Sequence, residues 1–306
     1  MSKLRIASFL PSATEMICAL GLFNQLIAIS HECNYPLEVK QKPVVVKNAI
    51  NYSSLTPTEI DQIVSQRIAE GQSLYLLDEK KLKSLAPTLI VSQELCKLCA
   101  VSGNEISKIL KTLSPVPEIL WQTPHSLEEV FDDLLILGEK TGTLSHAQTL
   151  VHHAQNRIKK IKTAVANKSK VRAFFIEWID PIYCGGHWIH SLIDWAGGED
   201  ALAQPGKDSI RTPFKKVLDY DPDFIIVAPC GYDTYQSLQQ AELLKALPEW
   251  NTLSAVKKKQ VWVTASNAYF ARPGLRLITG LEILAHLFHP DVIPWSGPID
   301  AFALVT

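Results

Sequence analysis

Hydrophobic and polar positions along the chain alternate between two kinds of segment. Short, nearly continuous apolar runs predict buried strands, and most of the stretches between them show the i, i+3, i+4 spacing of one helix face. The predicted strands are Leu4–Leu10, Leu26–Ser30, Ser73–Leu77, Leu89–Val91, Glu118–Trp121, Val171–Ile176, Phe224–Ala228 and Val261–Thr264. Apolar strands that alternate with helices indicate parallel sheets covered on both faces. The pattern therefore predicts an α/β fold.

Four stretches carry the signature of a helix start. In a capping box, a Ser or Thr and a Glu three positions later satisfy each other's free backbone N–H groups. A proline at the first helical position loses no hydrogen bond. We assign helix starts to Ser12-x-x-Glu15, Thr56-Pro57-x-Glu59, Ser102-x-x-Glu105 and Ser126-x-x-Glu129. Gly21 follows the first of these helices, at the usual place for a left-handed cap.

The second half of the chain repeats the order of pieces in the first half. A proline turn, a buried strand and a cysteine-bearing loop occur in "LAPTLIVSQELC" (85–96) and again in "YDPDFIIVAPCG" (220–231). Between the halves, an apolar stripe over 145–166 predicts a rod-like helix about 33 Å long at 1.5 Å per residue. We therefore expect two related lobes with parallel sheets. The predicted divisions are an N-terminal α/β lobe (1–122), a helical connector (123–167), a C-terminal α/β lobe (168–290) and a peripheral tail without strand periodicity (291–306).

Composition and charge narrow the class of protein. The chain has 306 residues with 47% hydrophobic and 20% charged residues, and its 14 glycines and 18 prolines are no excess, so disordered and collagen-like classes are excluded. Its 30 basic residues are balanced by 31 acidic ones. That balance gives no electrostatic case for nucleic-acid binding.

The segment "MSKLRIASFLPSATE" lacks the form of a secretory signal. Its apolar run from Ile6 to Leu10 is interrupted by Ser8, whereas a signal needs an apolar stretch of about 7–15 residues and a small-residue cleavage site. The sequence has no run of about 20 apolar residues that would span a membrane. We expect a cytoplasmic protein, or a periplasmic one only if a leader has been removed. Its six cysteines are then expected to be reduced.

Unusual side chains follow the predicted strands. In an open parallel sheet, ligands bind beyond the carboxyl ends of the strands, and five of the six cysteines lie in such loops. The candidate ligand-binding residues from these loops are His31, Glu32, Cys33, Tyr35, Gln93, Cys96, Cys99, Glu177, Tyr183, His187, Trp188, Cys230, Tyr269 and Arg272. Trp178, Cys184 and Tyr232 lie in the same loops but are left out of this set. Together the loops predict a cleft rich in aromatic, thiol and imidazole groups between the lobes.

The order of these motifs resembles a known family. The segments "RIASFLPSATEMICALG", "ISHECNYP", "SQELCKLCAV", "EWIDP", "GGHW" and "NAYFARPG" follow one another as in the cobalamin-type substrate-binding proteins of ABC transporters. That group also takes iron–siderophores and haem, and the resemblance covers residues 4 to about 288. It implies two Rossmann-like lobes bridged by a single long α-helix, as in class III periplasmic binding proteins. It also implies cobalamin or another metal macrocycle or iron chelate as a non-covalent ligand in the cleft.

The resemblance adds one pocket residue and one partner. Tyr52 lies where the family lines its pocket, and aromatic faces there would pack on a flat ligand while polar groups reach its rim. An ABC permease is the second expected partner. Glu59 matches the acidic residue with which the family docks in the first lobe, but Lys215 and Lys216 occupy the matching stretch of the second, which counts against docking. We expect the chain to be a monomer.

The spacing of Cys96 and Cys99 permits three interpretations. A structural zinc site needs four ligands, so further ligands would have to come from other loops, namely His31, Cys33, His187 or Cys230. A redox dithiol would place its first cysteine at a helix start, but Cys96 lies six residues before Ser102. We favour the interpretation that both cysteines line the pocket. A more specific form of this hypothesis is that their sulfur atoms ligate the metal of the bound ligand. The candidate metal ligands are Cys96, Cys99, His31 and His187.

Catalytic motifs are missing from the sequence. Neither a G-x-x-x-x-G-K phosphate loop nor a G-x-S-x-G nucleophile elbow occurs. Glu177 and His187 could form an acid–base pair, although orienting a ligand is the commoner role of such residues in a cleft. We therefore predict a non-catalytic binding protein that feeds transport or intracellular handling of its ligand. The alternative is a metal- or thiol-dependent enzyme on the same fold.

Overall fold

The computed structural model describes residues 4–52, 54–93, 113–114 and 116–305. The chain forms two compact units, which confirms the prediction of two α/β lobes. Unit 1 consists of Met1–Pro124 and Glu128–Val151, and unit 2 consists of His125–Leu127 and His152–Thr306. Each unit has a sheet of its own.

The sheet of unit 1 is parallel except at one edge. Its strands are β1 (Ile6–Ser8), β2 (Leu26–Ser30), β3 (Val44–Asn48), β4 (Tyr75–Leu77), β5 (Leu89–Ser92) and β6 (Glu118–Trp121). They lie in the order β4-β3-β2-β1-β5-β6, with β4 antiparallel to β3 and the other neighbouring pairs parallel. The expectation of an entirely parallel sheet is therefore wrong at this edge.

The described helices of unit 1 begin mostly where the sequence predicts. They are α1 (Pro11–Ala19), α2 (Pro57–Ala69), α3 (Glu79–Leu85) and α4 (Leu127–Thr141). The capping box of α2 is confirmed, because Thr56 N donates to the Glu59 carboxylate at 2.8 Å while Glu59 N donates to the Thr56 hydroxyl at 3.3 Å. Helix α4 begins directly after Ser126. The predicted start at Ser102 lies outside the described residues.

The capping box predicted at the start of α1 is wrong. The helix begins two residues earlier than predicted, at Pro11, and Leu10 instead of Ser12 takes the N-cap position, without a side-chain hydrogen bond. Because the fixed backbone angle of Pro11 already suits the first helical position, Ser12 lies inside the first turn and is buried. The other end is as predicted, since Gly21 has a positive φ of 77°.

The sheet of unit 2 is also mixed. Its strands are β7 (Val171–Trp178), β8 (Tyr183–Cys184), β9 (Gly198–Glu199), β10 (Phe224–Val227), β11 (Val261–Thr264) and β12 (Phe302–Leu304). Strands β7, β10 and β11 are parallel neighbours, whereas β8 pairs antiparallel with β7 and β12 pairs antiparallel with β11. The prediction of a tail without a strand is therefore wrong, because β12 completes this sheet.

One long helix continues from unit 1 into unit 2. The remaining described helices are α5 (Leu144–Val165), α6 (Ile189–Trp195), α7 (Phe214–Tyr220), α8 (Thr234–Ala241), α9 (Ser254–Lys257), α10 (Ser266–Tyr269) and α11 (Leu277–Phe288). Helix α5 has 22 residues, and His152 and His153 lie exposed on it. Within the described part of the chain, no helix is both long and apolar enough to cross a membrane.

Both faces of strand β7 are buried. Side chains alternate between the two faces of a strand, yet Phe174 and Phe175 are both 0% exposed. Phe174 packs in the cluster that contains Ile225 and Val263, and the ring of Phe175 lies 5.1 Å from that of Phe270. The continuous apolar run of β7 thus reflects a sheet covered on both faces. The last two residues of β7, Glu177 and Trp178, lie beyond this core and are half-buried at the carboxyl end of the strand.

Candidate functional site

The carboxyl ends of β7, β10 and β11 meet at one edge of the unit 2 sheet, because these strands are parallel. The last residues of β7 and the segments that follow β10 and β11 are in contact. Cys230 N donates to Glu177 O at 3.0 Å, and Asn267 N donates to Tyr232 O at 3.1 Å. The rings of Trp178 and Tyr232 lie 5.8 Å apart at 53°. We call these five residues the unit 2 face.

A turn holds the carboxyl group of Glu177. Gly186 N donates to Glu177 Oε1 at 3.0 Å, and the hydroxyl of Ser209 donates to the same carboxylate. Burial raises the pKa of Glu177 to about 7; the two hydrogen bonds oppose this rise, and the nearby Asp208 carboxylate adds to it. A carboxyl group with such a pKa is able to accept or to donate a hydrogen bond at neutral pH.

His187 lies on the same turn in an uncommon backbone conformation. Its φ is 49°, and its backbone N donates to Lys207 O at 2.7 Å. The imidazole Nε2 lies 3.1 Å from Asp208 Oδ1, and the ring lies 5.8 Å from that of His125. Burial lowers the pKa of His187, whereas the Asp208 carboxylate acts in the opposite direction. The structure thus brings two imidazoles and a carboxylate together.

The side chains of three further candidates in unit 2 contact other residues of the protein. Trp188 is buried and donates from Nε1 to Phe270 O at 2.8 Å. Tyr269 is only 9% exposed and lies under the guanidinium of Arg276 at 5.2 Å. The Tyr183 hydroxyl accepts a hydrogen bond from Arg211 Nε at 3.0 Å. Of the other two candidates, Arg272 is half-buried and Cys230 is exposed.

A second group of candidates gathers at the strand ends of unit 1. His31 follows β2, where its backbone N donates to Val46 O at 2.9 Å, and its Nε2 lies 3.7 Å from Glu32 Oε1. Tyr52 is half-buried beside them, and its pKa is raised by burial and, secondly, by the Glu32 carboxylate. We call His31, Glu32 and Tyr52 the unit 1 face. Gln93 follows β5 and is 5% exposed.

Two loop residues of unit 1 have different surroundings from this group. Cys33 is 3% exposed, and its Sγ lies 3.0 Å from Thr14 Oγ1 of α1, so its thiol packs against that helix. Tyr35 is 48% exposed and precedes the cis proline Pro36. Cys96 and Cys99 lie outside the described residues, and their role stays a prediction.

The structure shows no candidate metal centre among the residues that it describes. No group of three or more His, Cys, Asp or Glu residues there is arranged to hold a metal ion. Of the further zinc ligands considered from the sequence, Cys33 packs against α1 and Cys230 is exposed on the unit 2 face. The described residues therefore provide no four-ligand zinc site.

The structure also identifies residues that sequence reasoning omitted or did not find. Trp178 and Tyr232 form the aromatic pair of the unit 2 face, and their position directly after strands was the available signal. Ser209 and Asp208 contact Glu177 and His187 from a loop far along the chain. Nothing in the local sequence pattern indicates these two contacts.

Comparison with known proteins gives the family of this fold. The profile of the family described as periplasmic binding protein matches residues 6–268. The chain is 22% identical over 281 residues to the vitamin B12-binding protein of Vibrio cholerae serotype O1, covering 91% of this chain and 86% of that protein. It is 24% identical over 294 residues to YvrC, an ABC transporter substrate-binding lipoprotein of Bacillus subtilis, covering 94% and 80%.

A solved structure shows the same fold. The periplasmic heme-binding protein from Pseudomonas aeruginosa superposes with a TM-score of 0.73 at 17% identity, covering 99% of this chain and 98% of that one. Identity this low supports similarity of fold, and the ligand has to be argued from the side chains.

Proposed function

The chain belongs to the periplasmic binding protein family, and from this premise we propose that it binds a metal macrocycle without catalysis, with a corrinoid as the preferred ligand. The relatives described above are binding proteins, one of vitamin B12 and one of heme. We propose that this chain binds the same class of ligand, on the basis of its own side chains.

The observation that carries the proposal is the aromatic pair Trp178 and Tyr232 beside Glu177. Both rings are half-buried at the carboxyl edge of the sheet, where open parallel sheets bind their ligands. Aromatic faces pack well on a large flat ring, and a few polar groups fix its orientation. The unit 2 face has this composition.

The charge near the unit 2 face favours a ligand with an amide rim over one with a carboxylate rim. Glu177 lies on this face and the Asp208 carboxylate lies beside it, and an amide rim carries no charge that they would repel. A carboxylate rim, as in haem, would meet electrostatic repulsion from the Asp208 carboxylate and from Glu177 in its ionised form. This comparison favours corrinoids over haem as the ligand.

A titration with three ligands tests the proposal. Cyanocobalamin, hemin and a ferric siderophore are added to the purified protein while absorbance and heat are recorded. We expect one cyanocobalamin to bind per chain, more tightly than hemin. No saturable change with any of them, together with tight uptake of zinc, would instead support the metal- or thiol-dependent enzyme.

Docking to an ABC permease is a separate part of the proposal. Glu59 is exposed, but its carboxylate already caps α2 through two hydrogen bonds of 2.8 Å to Thr56. Lys215 of the second unit pairs with Asp219 at 2.9 Å. Co-purification with permeases from the same cells, with and without cyanocobalamin, tests this partner. The cytoplasmic location stays a prediction, which fractionation of those cells checks.

A further inference from the structure

We propose that Glu177 is a positioning residue, which holds His187 in its observed conformation through Gly186 and Ser209 and so acts on ligand binding without touching the ligand. The inference rests on the proposed function for its effect on binding. Its effect on His187 is independent of any ligand and can be measured without one.

Glu177 joins two loops that are distant in sequence. Gly186 lies in the loop after β8 and donates to Glu177 Oε1 at 3.0 Å, while Ser209 belongs to a loop more than twenty residues later. The same two loops are also joined directly, because His187 N donates to Lys207 O at 2.7 Å and Gly206 N donates to His187 O at 3.0 Å. The carboxylate therefore supports a loop pair that includes His187.

The two loops can approach this closely only because residue 186 is a glycine. A Cβ atom on Gly186 would lie 2.5 Å from Ser209 N and 2.8 Å from Lys207 O. Both of these neighbours are backbone atoms, which cannot turn away as a flexible side chain would. An alanine at this position would force the loops apart, and the hydrogen bonds to Glu177 would lengthen with them.

The backbone of His187 needs this support. A φ of 49° is uncommon for a residue with a side chain and costs free energy that the surroundings must offset. The same conformation keeps the imidazole 3.1 Å from Asp208 and 5.8 Å from His125. If the loop pair loosens, His187 is free to relax to an ordinary φ, and its ring leaves these neighbours.

The chemistry of the Glu177 side chain predicts a graded response to substitution. Glu177→Gln keeps a carbonyl oxygen for Gly186 N–H, and its amide group can donate to the Ser209 oxygen. Glu177→Ala removes both contacts and leaves the buried N–H of Gly186 without its acceptor. The alanine variant should therefore disturb His187, and the glutamine variant should largely preserve it.

The deciding experiment follows the His187 imidazole by NMR in the ligand-free, histidine-labelled full-length protein, with the resonance assigned from His187→Gln. We expect Glu177→Ala and Gly186→Ala to move this resonance, because the ring leaves Asp208 and His125. Glu177→Gln should stay close to the wild type. The matched control is Glu199→Gln, which changes an exposed carboxylate of the same unit. Ser209→Ala removes only the hydrogen bond from the Ser209 hydroxyl to Glu177, and it replaces the other variants in this test if they fold poorly.

Cyanocobalamin titration of the same variants tests the second half of the inference. Loss of hydrogen bonds to a charged group should weaken binding about tenfold in Glu177→Ala, with little change in Glu177→Gln. An unchanged His187 resonance in Glu177→Ala and Ser209→Ala would overturn the positioning role, whatever the affinity. If the wild-type protein binds none of the macrocycles, the proposed function fails, and the resonances decide the positioning role by themselves.

Discussion

Arg157 donates two parallel hydrogen bonds to Glu282, from Nε to Oε1 at 2.8 Å and from Nη2 to Oε2 at 2.6 Å. Arg157 Nη2 also donates to Thr279 Oγ1 at 3.2 Å. A guanidinium and a carboxylate paired in this way have a fixed relative geometry. The second half of α5 is therefore attached to α11 by directional contacts within unit 2.

Arg157→Lys should lower the free energy of unfolding by about 1 kcal/mol, because lysine cannot make both hydrogen bonds and the pair is partly exposed. The loss should be larger at low salt, where charges are less screened. Urea unfolding at two salt concentrations measures it. Lys160→Ala, an exposed change on the same helix, is the control and should have little effect. Equal midpoints for Arg157→Lys and the wild type would contradict the assigned role.

Phe302→Ala should destabilise unit 2. The Phe302 ring lies 5.8 Å from that of Trp262, 5.5 Å from that of Trp295 and 5.7 Å from that of His286. Removing a partly buried ring from this cluster should cost about 2 kcal/mol in thermal or urea unfolding. The matched control is Ile299→Ala, because Ile299 is 96% exposed and should tolerate the change. Similar stabilities for both variants would mean that β12 contributes little.

Asp133 should make the stability of unit 1 depend on pH. Burial raises its pKa from 3.8 to about 7, and the carboxylates of Asp132 and Glu129 add to this rise. The folded protein therefore keeps this proton to a higher pH than the unfolded chain does. Its stability contribution is lost as the pH rises from about 4 to about 7 and beyond. Among the described residues, Asp133 Oδ2 has no hydrogen-bond partner, so its charge stays uncompensated.

Asp133→Asn removes this titration and should flatten the pH dependence. We expect the variant to lie close to the wild type near pH 4 and to exceed it by about 2 kcal/mol at pH 8, a value reduced for the partial exposure of Asp133. Thermal unfolding across this range measures the difference. Glu139→Gln, an exposed change on the same helix, should not alter the profile. A wild type more stable than Asp133→Asn at pH 8 would reverse the sign and contradict the argument.

Trp178→Leu should weaken cyanocobalamin binding about tenfold, since leucine keeps apolar volume but loses the aromatic face beside Tyr232. Absorbance titration measures the affinity. Trp262→Leu is the matched control, because Trp262 packs against Phe302 of the terminal strand. It should change stability and leave the affinity of the folded protein within about twofold. The opposite ranking of affinities would remove the unit 2 face from the binding site.

Several of the predicted strands have apolar runs that are buried on both faces, whereas β4 and β6, which were also predicted, are only partly buried. Strand β7 is such a run, and its neighbours β10 and β11 were found in the same way. Strand β3 was missed although its run of three valines between Pro43 and Lys47 is as long as the predicted strand Leu89–Val91. Strand β12 was missed because its residues are only half-buried and its partner β11 is distant in sequence. Edge strands depend on pairing more than on local preference.

The sequence predicted which residue types the site contains, but not which distant residues their side chains contact. Glu177 and His187 were identified from their place after the predicted strand Val171–Ile176, and the structure shows each of them contacting a distant loop. Cys33 was placed in a loop correctly, but its thiol packs against α1 because the direction of a side chain is not set by sequence spacing alone. Contacts of this kind depend on how turns bring distant segments together.

The antiparallel strands at the sheet edges have a consequence for aggregation. An exposed edge strand offers unpaired N–H and C=O groups to other chains, and long, flat edges are the most hazardous. Here β4 and β12 have three residues each, and β8 has two. At the edge opposite β4, β6 begins with Glu118, which pairs with Lys140. Short and charged edges provide a poor template for fibre growth, so concentrated solutions of the folded protein should resist forming cross-β aggregates.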